Sequence, residues 1–247
     1  MHGDWPYPFW IAHRGAGTRA PENTLAAFRL GAQHGFRCFE CDVKLSADGV
    51  PFLMHDATLE RTTSGSGTGG ELAWSALSQL DAGAWHSRGF AGEPLSTLAA
   101  LARWIRANGF TLDLEIKPTP GTEEATGQAV ALAVRELWAG AEVPPLLTSF
   151  RPDALRAARD AAPELPRGLL LDQLWSGWAG VAQALDCVAV VTNHRLMDEA
   201  LIAQVHGQGR RAMVYTVNEP ADAQRLLALG IDGIVTDAVD RFAPANT

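Results

Sequence analysis

The sequence predicts an α/β protein, a (β/α)8 TIM barrel with a hairpin after strand two and a small Gly-rich insertion at about residues 57–96. Short β-rich segments alternate with amphipathic helical segments, and the short connections between them are typical of parallel strands. A chain of 247 residues suits eight such units closed into one barrel. We therefore expect one barrel domain over residues 1–247, with an inserted lid-like subdomain at 57–96.

Nine segments have strand character, one more than an eight-stranded barrel needs. Between most of them lie helical patterns, such as the apolar spacing that begins at Leu98 and the segment 153–162, which Pro163 ends. The expected strands are Phe9–His13, Arg37–Val43, Pro51–His55, Thr111–Ile116, Pro145–Ser149, Arg167–Leu171, Cys187–Val191, Arg211–Thr216 and Gly233–Thr236.

The ninth strand is explained by a hairpin. Asp48 and Gly49 separate two apolar runs and leave no room for a crossover helix, which is a hairpin signal. Pro51–His55 is then an antiparallel return strand beside strand two. With the turn near residues 46–49, the pairing brings His55 roughly opposite Glu40 and onto the same face.

The segment 57–96 interrupts the alternation and is rich in Gly and Ser. Long irregular segments in a compact barrel are usually functional loops or lids. Its "GSGTGG" is not followed by Gly-Lys-Ser/Thr, so it is not a phosphate-binding P-loop.

Charge and composition narrow the class of partner. A net charge of -8 argues against nucleic acid or an anionic membrane, and no apolar run is long enough for a transmembrane helix. The N-terminus lacks the features of a secretory signal. Cys38 and Cys41 form a CxxC, but residues three apart on a strand face opposite sides, so packing thiols are expected, as for Cys187. We expect a cytoplasmic protein with no stable membrane association; the sequence assigns no oligomeric state.

Polar residues end several of the predicted strands, at the mouth where barrel enzymes place their active sites. Each alone has a structural explanation, as a solvated rim, a salt-bridge partner or a satisfied histidine. Inward charges are costly unless they are paired or bound to metal, so their coincidence at one mouth favours a site. They are His13, Arg14, Glu40, Asp42, His55, Glu115 and Lys117.

The residue types indicate phosphodiester chemistry. Three carboxylates offer oxygen ligands, which suit Mg²⁺ or Ca²⁺ better than zinc. Arg14 and Lys117 are suited to a phosphate, and His13 and His55 to acid–base catalysis near neutral pH. One divalent cation, two phosphate-binding cations and two histidines predict a phosphodiesterase.

Five motifs resemble the glycerophosphodiester phosphodiesterase family, most closely its short bacterial cytoplasmic branch. They are "HRGAGTRAPENT", "ECDVKLSADGVPFLMHD", "LEIKP", "VYTVN" and "GIDGIVTDAVD", and the likeness covers nearly the whole chain. The resemblance implies cleavage of small glycerophosphodiesters, such as glycerophosphocholine or glycerophosphoethanolamine, to glycerol 3-phosphate and an alcohol. It implies that Glu40, Asp42 and Glu115 bind the metal, that His13 and His55 are catalytic, and that Arg14 and Lys117 bind the phosphate.

Several further residues are weaker candidates for the site or have structural roles. Trp85 and Phe90 either wall the glycerol pocket or form the core of the insertion. Asn23 is expected to cap the following helix. His194 and Asn218 are weaker site candidates, and four histidines are expected at the surface: His2, His34, His86 and His206.

The sequence leaves two rival functions open. One is a lyase-type phospholipase or sphingomyelinase-D-like activity, which uses a similar barrel and histidine pair. The other is a barrel that binds phosphodiesters without turnover, although a binding protein has no use for an acid–base pair.

Overall fold

A computed structural model describes residues 5–242 and 244 and confirms the barrel. Eight parallel strands close into a ring, because β1 pairs with both β2 and β9. The strands are β1 (Trp10–Ala12), β2 (Cys38–Leu45), β3 (Pro51–Leu53), β4 (Thr111–Ile116), β5 (Leu146–Ser149), β6 (Arg167–Leu171), β7 (Ala189–Asn193), β8 (Arg211–Tyr215) and β9 (Gly233–Thr236).

Helices follow the parallel strands and cover the outside of the ring. They are α1 (Leu25–Gln33), α2 (Trp74–Leu77), α3 (Leu98–Ala107), α4 (Glu123–Leu137), α5 (Pro152–Ala161), α6 (Trp178–Ala184), α7 (Glu199–Gly207) and α8 (Pro220–Leu229), with three short 3₁₀ turns. In the chain that the structure describes, none of these helices has the length and apolar character needed to cross a bilayer.

Strand alternation separates two apolar layers. Ile11, Cys38, Val191 and Met213 belong to a cluster inside the ring, whereas Cys41 packs in a cluster with helix residues outside it. The two thiols of the CxxC thus lie on opposite faces. All three cysteines are buried and free, and burial raises the pKa of Cys38 to about 12. The prediction of packing thiols is confirmed.

The predicted hairpin exists, but its register differs by one residue. β3 pairs antiparallel with β2, with Leu53 opposite Val43. Ser46 N–H donates to the Val50 carbonyl, so three residues rather than two form the turn, and Gly49 takes a left-handed φ of 80°. Continuing this ladder brings position 55 level with Cys41, not Glu40. Because β3 ends at Leu53, His55 itself lies beyond the strand.

The segment 57–96 folds against the hairpin. It contains α2 and two of the 3₁₀ turns, Gly69–Glu71 and Arg88–Phe90. Leu59, Leu77 and Leu95 pack with Phe52 of β3 in a small apolar cluster. The insertion is therefore anchored to the strand that leads into His55.

Candidate active site

The carboxyl ends of the barrel strands surround a cavity of about 430 Å³. Asp42 is not part of this lining and is 1% exposed. The other six residues predicted from the strand ends line the cavity: His13, Arg14, Glu40, His55, Glu115 and Lys117.

Three buried carboxylates lie close together in this site. Glu40 and Asp42 lie two residues apart on β2, and Asp42 is level with Glu115 on the neighbouring strand β4. One oxygen from each carboxylate lies within 4.8 Å of the others. Oε1 of Glu40 and Oδ1 of Asp42 accept no hydrogen bond from any residue that the structure describes. Buried oxygens without donors fit a hard divalent cation, which prefers oxygen ligands.

The protonation of these carboxylates reflects their burial and their neighbours. Burial, and then repulsion from Asp42 and Glu115, raises the pKa of Glu40 well above its usual value. Burial and the Asp42 charge raise the pKa of Glu115 to about 7. Burial also acts to raise the pKa of Asp42, but the positive charges of Arg14 and Lys117 outweigh it, so the net pKa is lowered. A bound cation would relieve this repulsion.

Arg14 is held in place by carboxylates on two sides. Its backbone has a left-handed φ of 49°, and its N–H donates to Glu40 Oε2 over 2.9 Å. The guanidinium donates from Nη1 to Glu22 Oε1 over 2.9 Å, and its Nε lies 3.3 Å from Asp42 Oδ2. Backbone and side chain together fix Arg14 at the rim.

Asn23 does not cap α1, so that prediction is wrong. Thr24 is the cap residue, and its Oγ1 accepts a hydrogen bond from Ala27 N–H over 3.2 Å. Asn23 instead has a left-handed φ of 60° and donates from Nδ2 to Asp42 Oδ2 over 2.8 Å. Its Oδ1 accepts from the Asp42 backbone N–H over 3.1 Å, so Asn23 fixes the orientation of a carboxylate.

Lys117 reaches the same carboxylates from β4. Its Nζ lies 2.7 Å from Glu115 Oε1 and 3.7 Å from Asp42 Oδ1, and 5.3 Å from the ring centroid of Phe150. Burial acts to lower the pKa of Lys117, but the charges of Glu115 and Asp42 outweigh it, so the net pKa is raised. The ammonium is therefore a stable positive charge beside the carboxylates.

His13 is oriented by a carboxylate from the opposite end of the chain. Its Nδ1 lies 2.6 Å from Asp237 Oδ1, and its Nε2 lies 3.7 Å from Glu40 Oε2. Asn218 Nδ2 donates to the second oxygen of Asp237 over 3.0 Å. A carboxylate at Nδ1 leaves Nε2 for proton transfer.

His55 has the same type of partner from its chain neighbour. Its Nδ1 lies 2.7 Å from Asp56 Oδ1, and Asp56 is in turn bound by Arg61. Burial lowers the pKa of His55, although the Asp42 charge acts against this. Both histidines thus have a carboxylate on Nδ1 and line one cavity.

Comparison with known proteins identifies the family. Residues 13–241 match the model of the glycerophosphoryl diester phosphodiesterase family. The chain belongs to this family. A glycerophosphodiester phosphodiesterase of Caldanaerobacter subterraneus is 32% identical over 92% of this chain and 93% of its own.

Solved structures agree with the assignment. A phosphodiesterase of Oleispira antarctica, determined with its product sn-glycerol-3-phosphate, is 34% identical, covers 95% of both chains and gives a TM-score of 0.88. A glycerophosphodiester phosphodiesterase of Agrobacterium tumefaciens is 29% identical with a TM-score of 0.79, over 96% of this chain and 99% of its own. As a member of this family, the chain is a phosphodiester hydrolase, and its buried acidic triad can hold a metal ion.

The cavity contains a fourth inward carboxylate, Asp113, which the sequence analysis did not predict. Asp113 lies two residues before Glu115 on β4 and is buried, and it accepts a hydrogen bond from Thr148 Oγ1 over 2.8 Å. Burial raises its pKa to about 7. The same two-residue alternation that selects Glu115 and Lys117 also selects Asp113.

Trp85 and Phe90 occupy different places in the insertion. Trp85 is 40% exposed and lines a groove of about 420 Å³ that also contains His13 and Arg14. Phe90 packs against the helix-side core, with its ring 5.4 Å from that of His86. Trp85 therefore borders the site, and Phe90 is placed as a packing residue.

The remaining histidine predictions have mixed outcomes. His86 is half-buried and lines the groove beside Trp85, and His206 is half-buried and lies 2.6 Å from Asp232, so neither is a plain surface residue. His34 is also half-buried, and His2 lies outside the described residues. His194 lies 3.8 Å from Asp222 and is not part of the cavity lining, whereas Asn218 reaches the site through Asp237.

Proposed function

We propose that this enzyme hydrolyses small glycerophosphodiesters, such as glycerophosphocholine and glycerophosphoethanolamine, to glycerol 3-phosphate and an alcohol. The observation that carries the proposal is one cavity that combines a buried carboxylate triad, two cationic side chains and two histidines oriented by carboxylates. The product bound by the Oleispira antarctica relative supports the glycerol 3-phosphate half of the substrate.

One divalent cation, Mg²⁺ or Ca²⁺, would be held by Glu40, Asp42 and Glu115. The donor set supports this, because it offers carboxylate oxygens only and two of them lack donors among the described residues. When bound, such a cation supplies positive charge that stabilises the charge developing on phosphate oxygens.

Arg14 and Lys117 would bind the phosphate from two sides of the triad. The Arg14 guanidinium is held by Glu22 and Asp42, and the Lys117 ammonium by Glu115, so neither side chain must be ordered when substrate binds. Preorganised cations stabilise developing negative charge at low reorganisation cost.

His13 and His55 would share the proton transfers. One takes a proton from the attacking oxygen as the new bond to phosphorus forms, and the other gives a proton to the alcohol oxygen as its bond breaks. Each role contributes about 10² to 10⁴ in rate. Asp237 and Asp56 hold both imidazoles at Nδ1, which directs Nε2 of each ring to the chemistry.

The test is incubation with glycerophosphocholine and identification of the products. Equal amounts of glycerol 3-phosphate and choline are expected, and Glu40→Ala should abolish their release. Glu124→Ala is the matched control, because the Glu124 side chain is 75% exposed on α4 and pairs with Arg156 rather than with a residue of the site. A cyclic phosphate as the final product would support the lyase instead, and binding without turnover would support a binding protein.

A further inference from the structure

We propose that Arg61, in the insertion, is a positioning residue that fixes His55 and Arg14 together. The proposal rests on the proposed function, since it assigns a role within the same site. Arg61 lines the groove beside Arg14 and Trp85 rather than the main cavity. Its guanidinium binds two carboxylates, and each of these carboxylates holds one residue of the site.

The first carboxylate is Asp56. Arg61 donates to it twice, from Nε to Oδ2 over 2.5 Å and from Nη2 to Oδ1 over 3.0 Å. The oxygen Oδ1 also lies 2.7 Å from His55 Nδ1. The two-point contact prevents rotation of the Asp56 carboxylate, and the carboxylate sets the direction of the imidazole.

The second carboxylate is Glu22, in the loop between β1 and α1. Arg61 donates from Nη1 to Oε2 over 2.7 Å and from Nη2 to Oε1 over 2.8 Å. Oε1 of Glu22 also accepts from Arg14 Nη1 over 2.9 Å. One guanidinium thus connects the loop that carries Arg14 with the segment that carries His55.

The geometry distinguishes this contact from an ordinary surface ion pair. The Arg61 side chain is 45% exposed, but its partners Glu22 and Asp56 are only 12% and 28% exposed. Isolated exposed pairs contribute little, whereas planar two-point contacts within a network are specific in geometry. Lysine cannot reproduce them, because its ammonium is a single point charge.

Loss of Arg61 should therefore slow the chemical step more than it weakens folding. Without it, Asp56 and Glu22 carry adjacent negative charges with no shared partner. The two carboxylates that contact His55 and the Arg14 guanidinium are then held less firmly. A displacement of about 1 Å in a catalytic group costs about 10²-fold in rate. We expect Arg61→Ala to lower kcat on glycerophosphocholine by about 10- to 100-fold, with a smaller change in KM.

The experiment compares Arg61→Ala, Arg61→Lys and Asp56→Asn with the control Arg156→Ala. Arg156 on α5 is a matched surface arginine, 48% exposed and paired with Asp153 of α5 and Glu124 of α4. The control should keep wild-type kcat and KM. Arg61→Lys retains the positive charge but not the two-point contacts, so its kcat should be close to that of Arg61→Ala. If the alanine variant does not fold, the lysine variant provides the same test.

The double variant Asp56→Asn/Arg61→Ala should lose little more than the worse single variant, because the two residues act as one unit. Wild-type kcat per folded molecule in Arg61→Ala, or full rescue by Arg61→Lys, would overturn the role of Arg61 while leaving the proposed function intact. Absence of turnover by the wild-type enzyme would overturn the proposed function and this inference with it.

Discussion

Replacement of Asp237 by asparagine should disable His13 while keeping the shape of the site. Asp237 Oδ1 lies 2.6 Å from His13 Nδ1, so the carboxylate keeps the proton on Nδ1 and leaves Nε2 free. Burial raises the pKa of Asp237, but the hydrogen bond with His13 and its charge lower it more, so the net pKa is below the usual value. Asp237 is therefore an acceptor for His13 at neutral pH.

The contacts of the neighbouring Asn218 determine the orientation of the side-chain amide in Asp237→Asn. Asn218 Oδ1 accepts from the Asp237 backbone N–H over 2.9 Å, which directs its Nδ2 towards the side chain at 237. The amide oxygen of Asp237→Asn then has to face Asn218, and its NH₂ group faces His13 Nδ1. His13 can accept that hydrogen bond only with its proton moved to Nε2, so Nε2 can no longer accept a proton. The imidazolium that either proton-transfer role requires also loses its carboxylate partner.

The expected loss is large. In serine proteases the equivalent aspartate-to-asparagine change lowers kcat by about 10⁴. Asp237 is 25% exposed, so water can partly replace it, and we expect a fall of about 10² to 10³ in kcat, or about 3–4 kcal/mol. The assay is glycerol 3-phosphate release from glycerophosphocholine at saturating substrate, normalised to folded protein. Asp240→Asn, a partly exposed neighbour near Arg19, is the control. A kcat close to wild type in Asp237→Asn would refute the orienting role.

Three further predictions follow from the same geometry. Burial and like charge raise the pKa of Glu115 to about 7 and raise the pKa of Glu40 well above its usual value. Ca²⁺ binding should therefore release protons and tighten as pH rises from about 6 to about 8. Calorimetry in buffers of different ionisation enthalpy measures this release, and a pH-independent affinity would contradict it. Trp85→Ala should raise KM or change head-group preference more than it lowers kcat, whereas a pure fall in kcat would count against a substrate-access role. With a p-nitrophenol leaving group, alanine at the general acid should be nearly harmless and alanine at the base severe; equal losses on both substrates in His13→Ala and His55→Ala would exclude the division of labour.

The barrel and the central residues were predictable from local sequence patterns. Alternating β and α segments gave eight units, and the two-residue spacing placed Glu40 with Asp42 and Glu115 with Lys117 on inward faces. Such periodicity follows from strand geometry alone, which is why it can be read without the tertiary structure. The hairpin was predictable for the same reason, except for the one-residue shift introduced by its three-residue turn.

The residues that orient the site were not predictable in this way. Asp237 lies 224 positions from His13 in the chain, and only barrel closure between β1 and β9 brings them together. Asparagine is a residue type typical of helix caps, but the left-handed backbone of Asn23 turns its side chain towards Asp42. Arg61 lies in an irregular segment with no periodicity to indicate its partners. Tertiary closure and backbone conformation decided these contacts.

The most direct measurement is the metal dependence of glycerol 3-phosphate release from glycerophosphocholine. The enzyme is stripped with EDTA, metal removal is confirmed, and activity is followed as Mg²⁺ or Ca²⁺ is added back. We predict no turnover in the stripped enzyme, recovery that saturates with one cation per chain, and no recovery in Glu40→Ala or Glu115→Ala. Full activity in excess EDTA after confirmed metal removal would contradict the account.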